Sequence, residues 1–221
     1  MNSHVNIYMA QRTLFQVDGH DACLALHPLP PTLKKLATHI IDQVRTDRDD
    51  TKTYETDPLD VRPTIRIRGK ATRQSRNAGF YADASVIEGY RYSGILAPSK
   101  PLTKAMTSLI QDIASMFGMN PDKVGILINE YREGASIGAH SDDERDLVTG
   151  STGVLAISMG ASRTFRIKAK TKVTMKDGSV HNAKDVVCEH RTRSGTLLQM
   201  GGRDFQSCFT HQVPFLARDK G

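Results

Sequence analysis

Two stretches of the chain repeat apolar residues at the spacing of one helix face. The first helix is predicted from Pro31 to Arg48, because proline suits a first helical turn. The second is predicted over 102–117, with Ser99 as a possible N-cap and Gly118 as the stop. Each apolar face is expected to pack against a sheet. The apolar positions are Leu33, Leu36, Ala37, Ile40, Ile41 and Val44 in the first helix, and Leu102, Met106, Leu109, Ile110, Ile113 and Met116 in the second.

Beyond Pro121 the pattern changes to short runs of β-branched and other apolar residues, which glycines and polar residues separate. Such runs predict strands, and the dipeptide Asp177-Gly178 predicts a hairpin turn. Helices followed by many short strands predict an α+β chain whose second half is an antiparallel sandwich or barrel. The predicted strands are 124–131, 153–159, 164–174, 186–190, 195–200 and 206–213.

The length of 221 residues and the 38% hydrophobic content predict one globular domain. The sequence has neither a signal-peptide pattern nor a run of about 18 apolar residues, so we expect a soluble intracellular protein of the cytoplasm or nucleus that is neither secreted nor in a membrane. The three cysteines, Cys23, Cys188 and Cys208, are far apart. They are therefore expected to be reduced thiols rather than a disulfide framework or a zinc site.

Positive charge is concentrated in residues 62–76, a segment that contains no acidic residue. Its net charge of +6 equals that of the whole chain, and its cations are Arg62, Arg66, Arg68, Lys70, Arg73 and Arg76. Such a segment indicates a polyanionic partner such as nucleic acid. A solvated basic strand or loop is the alternative.

The stretch 128–144 contains His140 and Asp142 two positions apart. If a strand begins there, both side chains point to one face and could bind one metal ion. His211, in the C-terminal predicted strand, offers a third ligand. Two histidines and one carboxylate form the facial triad of non-heme Fe(II) oxygenases. His181 and His190 are possible rival ligands, but neither has a partner two residues away.

Several short motifs occur together in one order over roughly residues 60–215. In that order the chain resembles the AlkB family of 2-oxoglutarate- and Fe(II)-dependent dioxygenases. The motifs are "YRYSG" at 90–94, "NEY" at 129–131, "HSDDE" at 140–144, "ISMGASRTFRI" at 157–167, "GTLLQMGG" at 195–202 and "FTHQVP" at 209–214.

The resemblance implies a fold as well as a chemistry. It implies a double-stranded β-helix, or jelly roll, with two or more supporting helices and an N-terminal substrate-lid region. On that basis 1–60 is expected to be a helical extension, 61–100 the lid, and 101–221 a helix plus the jelly-roll core, in one monomeric domain.

The same resemblance implies that His140, Asp142 and His211 hold Fe(II), while Asn129 and Tyr131, on a neighbouring strand, hydrogen-bond 2-oxoglutarate. With O2, such enzymes demethylate N-alkylated bases in DNA or RNA and release succinate, CO2 and formaldehyde. A base must leave its stack to reach buried iron, where aromatic faces and polar groups hold it. Candidate substrate contacts are Arg73, Arg76, Phe80, Tyr81, Tyr90, Asp143 and Glu144, although each could equally be a packing or surface residue.

The chain departs from the family pattern after His211. The family ends in a further strand whose arginines hold the distal carboxylate of 2-oxoglutarate, and Arg218 is the one arginine that follows His211. Truncation, replacement by Arg218 and an impaired co-substrate site are the three explanations. The alternative functions are therefore an oxygenase that hydroxylates a protein or small molecule, and a catalytically impaired nucleic-acid-binding relative.

Overall fold

The structure is a computed structural model that describes residues 11–49, 51–83, 85, 89–144, 147 and 150–215. Its described strands in the first half of the chain are β1 (Arg12–Gln16), β2 (Cys23–Pro28), β3 (Thr64–Ile67), β4 (Lys70–Arg73), β5 (Asn77–Ala82), β6 (Tyr90–Tyr92), β7 (Ile95–Ala97) and β8 (Ser99–Pro101). Those in the second half are β9 (Ile126–Glu130), β10 (Ile137–His140), β11 (Val154–Ser158), β12 (Arg163–Ala169), β13 (Val173–Thr174), β14 (Val180–His181), β15 (Val186–Thr192), β16 (Thr196–Gly201) and β17 (Phe209–Val213). The described helices are α1 (Pro31–Val44), α2 (Lys104–Phe117) and α3 (Phe205–Cys208), with a 3-10 turn at Pro121–Lys123.

The chain divides into two compact units, which interleave along the sequence. The first unit comprises Met1–Pro30, Ala139–Asp143 and Thr149–His211, and the second comprises Pro31–Gly138, Glu144–Val148 and Gln212–Gly221. None of the helices in the described ranges is long and apolar enough to cross a membrane.

The first unit contains the jelly-roll core that was expected from the resemblance. One four-stranded sheet has the order β1-β2-β16-β11 and the other has the order β10-β17-β12-β15. Apolar residues from both sheets form one buried cluster, so the core lies between them. Fully or almost fully buried members of that cluster include Leu24, Ile167, Leu198, Met200, Phe205 and Phe209.

Residues 1–60, expected to be a helical extension, contain α1 but also two strands of the first sheet. Strands β1 and β2 lie in that segment, and β2 pairs antiparallel with β16, which places Leu24 opposite Met200 and Leu26 opposite Leu198. The alternation in "CLALHP" is short, and the strand is held between the nearby β1 and the distant β16. Strands β3 to β8 also lie before Pro121, in the part of the chain for which the sequence predicted helices alone.

The second unit contains α1 and α2, which pack against each other, and a three-stranded sheet of order β8-β5-β9. Helix α1 ends at Val44, four residues before the predicted end. Arg48 lies outside it and donates from Nη1 to the carbonyl of Gln43, which satisfies an acceptor of the last turn. Residues 61–100, the predicted lid, form β3 to β8, and their role as a lid stays a prediction.

The end of α2 was predicted correctly, but its N-cap residue was not. Gly118 ends the helix in the left-handed conformation, with φ of 64°, as predicted. The N-cap is Thr103 rather than Ser99, since its hydroxyl accepts from the backbone N–H of Met106 at 3.1 Å. Ser99 lies in β8 instead, opposite Phe80 of β5.

Two details of the predicted strands also change. The run 164–174 is two strands, because the backbone N–H of Lys170 leaves the ladder and donates to Cys208. The run 206–213 begins with α3, so that only Phe209–Val213 is extended. The Asp177-Gly178 turn is confirmed: it joins β13 to β14, and Gly178 has φ of 85°.

Candidate metal centre and active site

His140 and Asp142 lie at the end of β10 and in the loop that follows it. The Nε2 atom of His140 is 3.6 Å from the Oδ1 atom of Asp142. The sequence placed both residues within one strand, but the strand ends at His140. The loop conformation, rather than strand alternation, therefore directs Asp142 back to His140.

His211 lies on β17, the strand next to β10 in the second sheet of the first unit. Its Nε2 atom is 3.5 Å from Oδ2 of Asp142, and its ring centroid is 4.1 Å from that of His140. One possible ligand atom from each of the three residues lies within 4.8 Å of the others. The three predicted metal residues thus come together at one point.

The surroundings of His211 favour the neutral imidazole. The residue is 6% exposed, and its ring stacks on Phe165 with centroids 5.5 Å apart. Burial, with the imidazole of His140 beside it, lowers the pKa of His211 to about 3. Because Nε2 faces Asp142, the neutral ring can direct its lone pair to a metal. Its Nδ1 atom is buried and has no hydrogen-bond partner within the described ranges. Two imidazoles and a carboxylate are a donor set that suits Fe(II).

The two rival histidines do not join this group. His181 lies on β14 and His190 on β15, where it is opposite Phe165. In the part of the chain that the structure describes, His140, Asp142 and His211 are the His, Cys, Asp and Glu residues that gather at ligand distances.

Asn129 and Tyr131, the predicted 2-oxoglutarate contacts, belong to the second unit. Asn129 is on β9, and Tyr131 follows the last residue of that strand. The hydrogen-bonded neighbour of β9 is β5 rather than the strand of His140. The side-chain oxygen of Asn129 accepts from Nε of Arg76 at 2.7 Å.

Arg73 and Arg76, predicted together as phosphate contacts, have different surroundings. Arg73 is exposed at the end of β4 in the β3–β4 hairpin. Arg76 is 7% exposed, and its guanidinium points to Asn129. Its burial and its hydrogen bond to Asn129 argue against Arg76 as a phosphate contact.

Two predicted substrate contacts, Phe80 and Tyr90, form an aromatic stack with Tyr92 in the second unit. Tyr90 lies between Phe80 and Tyr92, at centroid distances of 5.3 and 5.8 Å. The Tyr90 hydroxyl donates to a carboxylate oxygen of Glu144 at 2.9 Å. Phe80 and Tyr92 also line a mainly apolar cavity of about 310 Å³, together with Leu96.

Two further predicted substrate residues lie elsewhere. Tyr81 is fully buried, its hydroxyl donates to the Asp57 carbonyl at 3.1 Å, and burial raises its pKa. The structure thus makes Tyr81 a core residue rather than a substrate contact. Asp143 lies in the first unit, where its carboxylate is 3.3 Å from Nζ of Lys170. Arg218 lies outside the described residues.

Sequence reasoning missed the residues that surround the loop of Asp142. Gln206, Ser141 and Lys170 contact that loop or its neighbours through side-chain hydrogen bonds. Lys170 is one of several lysines in "KAKTK", and nothing local separates it from the others. A signal exists only for Ser141, which lies between the two predicted ligands.

Comparisons with known proteins agree with this site. The sequence profile of the 2OG-Fe(II) oxygenase superfamily matches residues 28–220. The human DNA oxidative demethylase ALKBH2 is 32% identical over 107 residues, which cover 48% of this chain and 39% of that protein. Its mouse counterpart is 31% identical over 107 residues, covering 48% and 43%. The match thus spans less than half of these relatives. The solved structure of OsALKBH1 has a TM-score of 0.46 and 14% identity, covering 90% of this chain and 87% of that one.

The profile match covers most of the chain and includes all three residues of the cluster. Enzymes of this superfamily use Fe(II), 2-oxoglutarate and O2, and the two imidazoles and one carboxylate suit that metal. This chain belongs to the 2OG-Fe(II) oxygenase superfamily, as an AlkB-like dioxygenase.

Proposed function

We propose that this chain removes N-alkyl groups from nucleobases of DNA or RNA by oxidative demethylation. The observation that carries the proposal is the cluster of His140, Asp142 and His211 in a member of this superfamily. Local similarity to DNA oxidative demethylase ALKBH2 and the basic segment 62–76 support a nucleic-acid substrate. In the reaction, one methyl group leaves as formaldehyde while 2-oxoglutarate and O2 become succinate and CO2.

His140, Asp142 and His211 would hold Fe(II), a metal that suits two imidazoles and one carboxylate. When bound, the iron supplies the oxidising chemistry that this set of side chains lacks. The protein keeps His211 neutral through burial, which avoids competition between a proton and the metal. Phe165 covers one face of that imidazole and excludes water from it.

Asn129 and Tyr131 are our proposed contacts for 2-oxoglutarate. The hydrogen bond from Arg76 to the Asn129 oxygen supports a defined amide orientation, since it leaves Nδ2 as the donor of that amide. A donor amide suits a carboxylate or keto oxygen. Arg76 thereby takes a place beside the co-substrate contact instead of a phosphate contact. Arg218 stays our proposed partner for the distal carboxylate.

The β3–β4 hairpin is the proposed nucleic-acid contact. Arg66, Arg68, Lys70 and Arg73 are all exposed on it, and Arg68 and Gly69 turn the chain with positive φ values of 49° and 79°. Four cations on a short two-stranded ribbon suit a phosphate backbone. Such contacts supply affinity without much sequence preference.

The aromatic stack of Phe80, Tyr90 and Tyr92 is the proposed site for the alkylated base. An aromatic surface can stack on an extruded base, and Glu144 offers a carboxylate to a cationic methylated ring or an exocyclic amine. The hydrogen bond between Tyr90 and Glu144 supports this pairing, because it orients the carboxylate beside the aromatic surface.

The proposal is tested by incubation of the purified chain with Fe(II), 2-oxoglutarate and oligonucleotides that carry 1-methyladenine or 3-methylcytosine. We expect succinate, formaldehyde and loss of the base methyl group in equal amounts. The His140→Ala variant removes one proposed ligand and should abolish all three signals.

The outcomes separate this function from its alternatives. Succinate without demethylation would favour hydroxylation of a protein or small molecule. Tight oligonucleotide binding with neither product would favour an impaired binding protein. Activity retained in His140→Ala would contradict the assigned metal centre.

A further inference from the structure

We propose that Gln206 and Lys170 are positioning residues of the metal centre, which fix the 141–143 loop and thereby set the affinity of the site for a divalent metal. This inference rests on the proposed ligand set of His140, Asp142 and His211. Nothing in the family motifs of the sequence indicated either residue. All the groups involved belong to the first unit.

Gln206 connects the backbone of Asp142 to the helix that precedes His211. Its side-chain oxygen accepts from the backbone N–H of Asp142 at 2.9 Å. The residue lies on α3, which leads directly into β17 and His211. A single side chain therefore sets the distance between the loop that carries the carboxylate and the segment that carries the buried imidazole.

The other end of the Gln206 amide is energetically unfavourable. Its Nε2 atom is buried, and none of the described residues accepts a hydrogen bond from it. A buried unpaired donor costs stability, whereas an apolar side chain of similar size would avoid that cost. The arrangement therefore favours a positional role for the amide oxygen over a contribution to folding.

Lys170 contacts the same loop from across β17. It follows β12, and in the sheet order β17 lies between β12 and β10. Its Nζ atom donates to Ser141 Oγ at 3.1 Å, to Asp143 Oδ2 at 3.3 Å and to the Gln206 carbonyl at 3.0 Å. Its backbone N–H also donates to Cys208 at 2.7 Å. One ammonium thus joins both flanks of Asp142 to α3.

Ser141 completes the set of contacts. Its hydroxyl accepts from Lys170 and donates to the Phe209 carbonyl at 2.9 Å. Consecutive residues 141, 142 and 143 are therefore each tied to Lys170, α3 or the start of β17. This assigns Asp143 to anchoring the loop rather than to reading the substrate.

The consequence for metal binding follows from preorganisation. A ligand that is already held in place loses little conformational entropy when the metal arrives, whereas a free loop must be ordered at the cost of binding energy. Outer residues that orient ligands commonly change metal affinity by about 10- to 100-fold when they are replaced. The contacts of Gln206 and Lys170 are of this kind.

The test is titration of the metal-free 221-residue chain with Co(II), monitored by calorimetry and by the visible absorption of the bound ion. Gln206→Met and Lys170→Met each keep the side-chain length but lose the hydrogen-bonding group. We expect the dissociation constant for Co(II) to rise about tenfold in each, with altered visible bands. Lys170→Arg, which keeps a cation, should stay close to wild type.

Lys172→Met is the matched control, because Lys172 is an exposed lysine two positions along the same segment. It should bind Co(II) as wild type does. Circular dichroism and the melting temperature of each metal-free variant separate loss of the site from loss of the fold. Should Lys170→Met fail to fold, Ser141→Ala carries the same test, since it removes the hydroxyl that joins Lys170 to β17.

Two outcomes would contradict the inference, and they are distinguishable. Wild-type affinity in the folded Gln206→Met and Lys170→Met variants would overturn it while the metal centre stands. Absence of Co(II) binding by the wild-type chain would overturn the proposed metal centre, and the inference would fall with it.

Discussion

Arg73 and Arg76 are three positions apart in one basic segment, yet their surroundings give them different roles. Arg73 is exposed, and its Nε donates to the Arg62 carbonyl at 3.3 Å. Arg76 is buried, with its Nε 2.7 Å from Asn129. A buried hydrogen bond from a cation is worth more than one at the surface.

The difference predicts that one alanine variant loses stability and the other loses oligonucleotide binding. Arg76→Ala should lower the free energy of unfolding by about 1.5–3 kcal/mol, because it deletes a charge-assisted hydrogen bond in the interior. Arg73→Ala should change that energy by about 0.5 kcal/mol or less and should weaken oligonucleotide binding. Urea unfolding and fluorescence anisotropy measure the two effects. Equal destabilisation by both variants would contradict the burial argument.

At the scale of the element, α2 depends on a cap that lies one residue before it. Thr103 is 1% exposed, and its hydroxyl accepts from Met106 in the first turn. Thr103→Ala should lower the free energy of unfolding by about 1 kcal/mol, since the N–H of Met106 loses its partner. Thr103→Ser should recover most of that energy, and Ser108→Ala, on the exposed face, should be nearly neutral. Urea unfolding of the three variants is the measurement.

The β3–β4 hairpin gives a second prediction at this scale. Replacement of Arg66, Arg68 and Lys70 by Gln should reduce oligonucleotide affinity and its salt dependence. For duplex DNA each lost phosphate contact removes about 0.9 from the slope of log affinity against log salt, so three contacts remove about 2.7. The measurement is a binding titration at several salt concentrations.

A variant with the same loss of charge elsewhere is the control for that hairpin. Lys34, Lys35 and Lys123 are exposed residues of the same unit. Their combined replacement by Gln lowers the net charge equally but should leave most of the salt slope in place. Equal effects from both triple variants would mean that net charge, rather than the hairpin, determines binding.

At the scale of the whole molecule, metal binding should stabilise the fold. Co(II) at about 100 times its dissociation constant should add about 2.7 kcal/mol to the free energy of unfolding, because the ion binds the assembled site in preference to the unfolded chain. His140→Ala should lose that increment, and EDTA should remove it from wild type. Urea unfolding with and without Co(II) measures it, and an equal increment in His140→Ala would place the metal elsewhere.

Local patterns determined much of the fold and of the site. The helical spacing of apolar residues located α1 and α2, since an amphipathic face is a property of adjacent turns. Gly118 and the Asp177-Gly178 turn were predictable for the same reason, because a glycine there adopts a positive φ. The ordered motifs indicated the family, and His140, Asp142 and His211 with it.

Tertiary structure decided what depends on partners far along the chain. The strand at Cys23–Pro28 pairs with β16 as well as with the nearby β1, and no local signal carries its pairing with β16. Arg73, Arg76 and Tyr81 were all candidate substrate contacts. The tertiary structure buries Arg76 and Tyr81, and it leaves Arg73 exposed.

The sequence by itself determined which side chains could bind iron and in what order they occur, because the triad needs particular residue types and two of its members lie two positions apart. Only the tertiary structure decided how they are held. Gln206 and Lys170 are 64 and 28 positions from Asp142, and the sheet brings them to its loop. Hydrogen bonds over such separations depend on strand order, which residue periodicity does not encode.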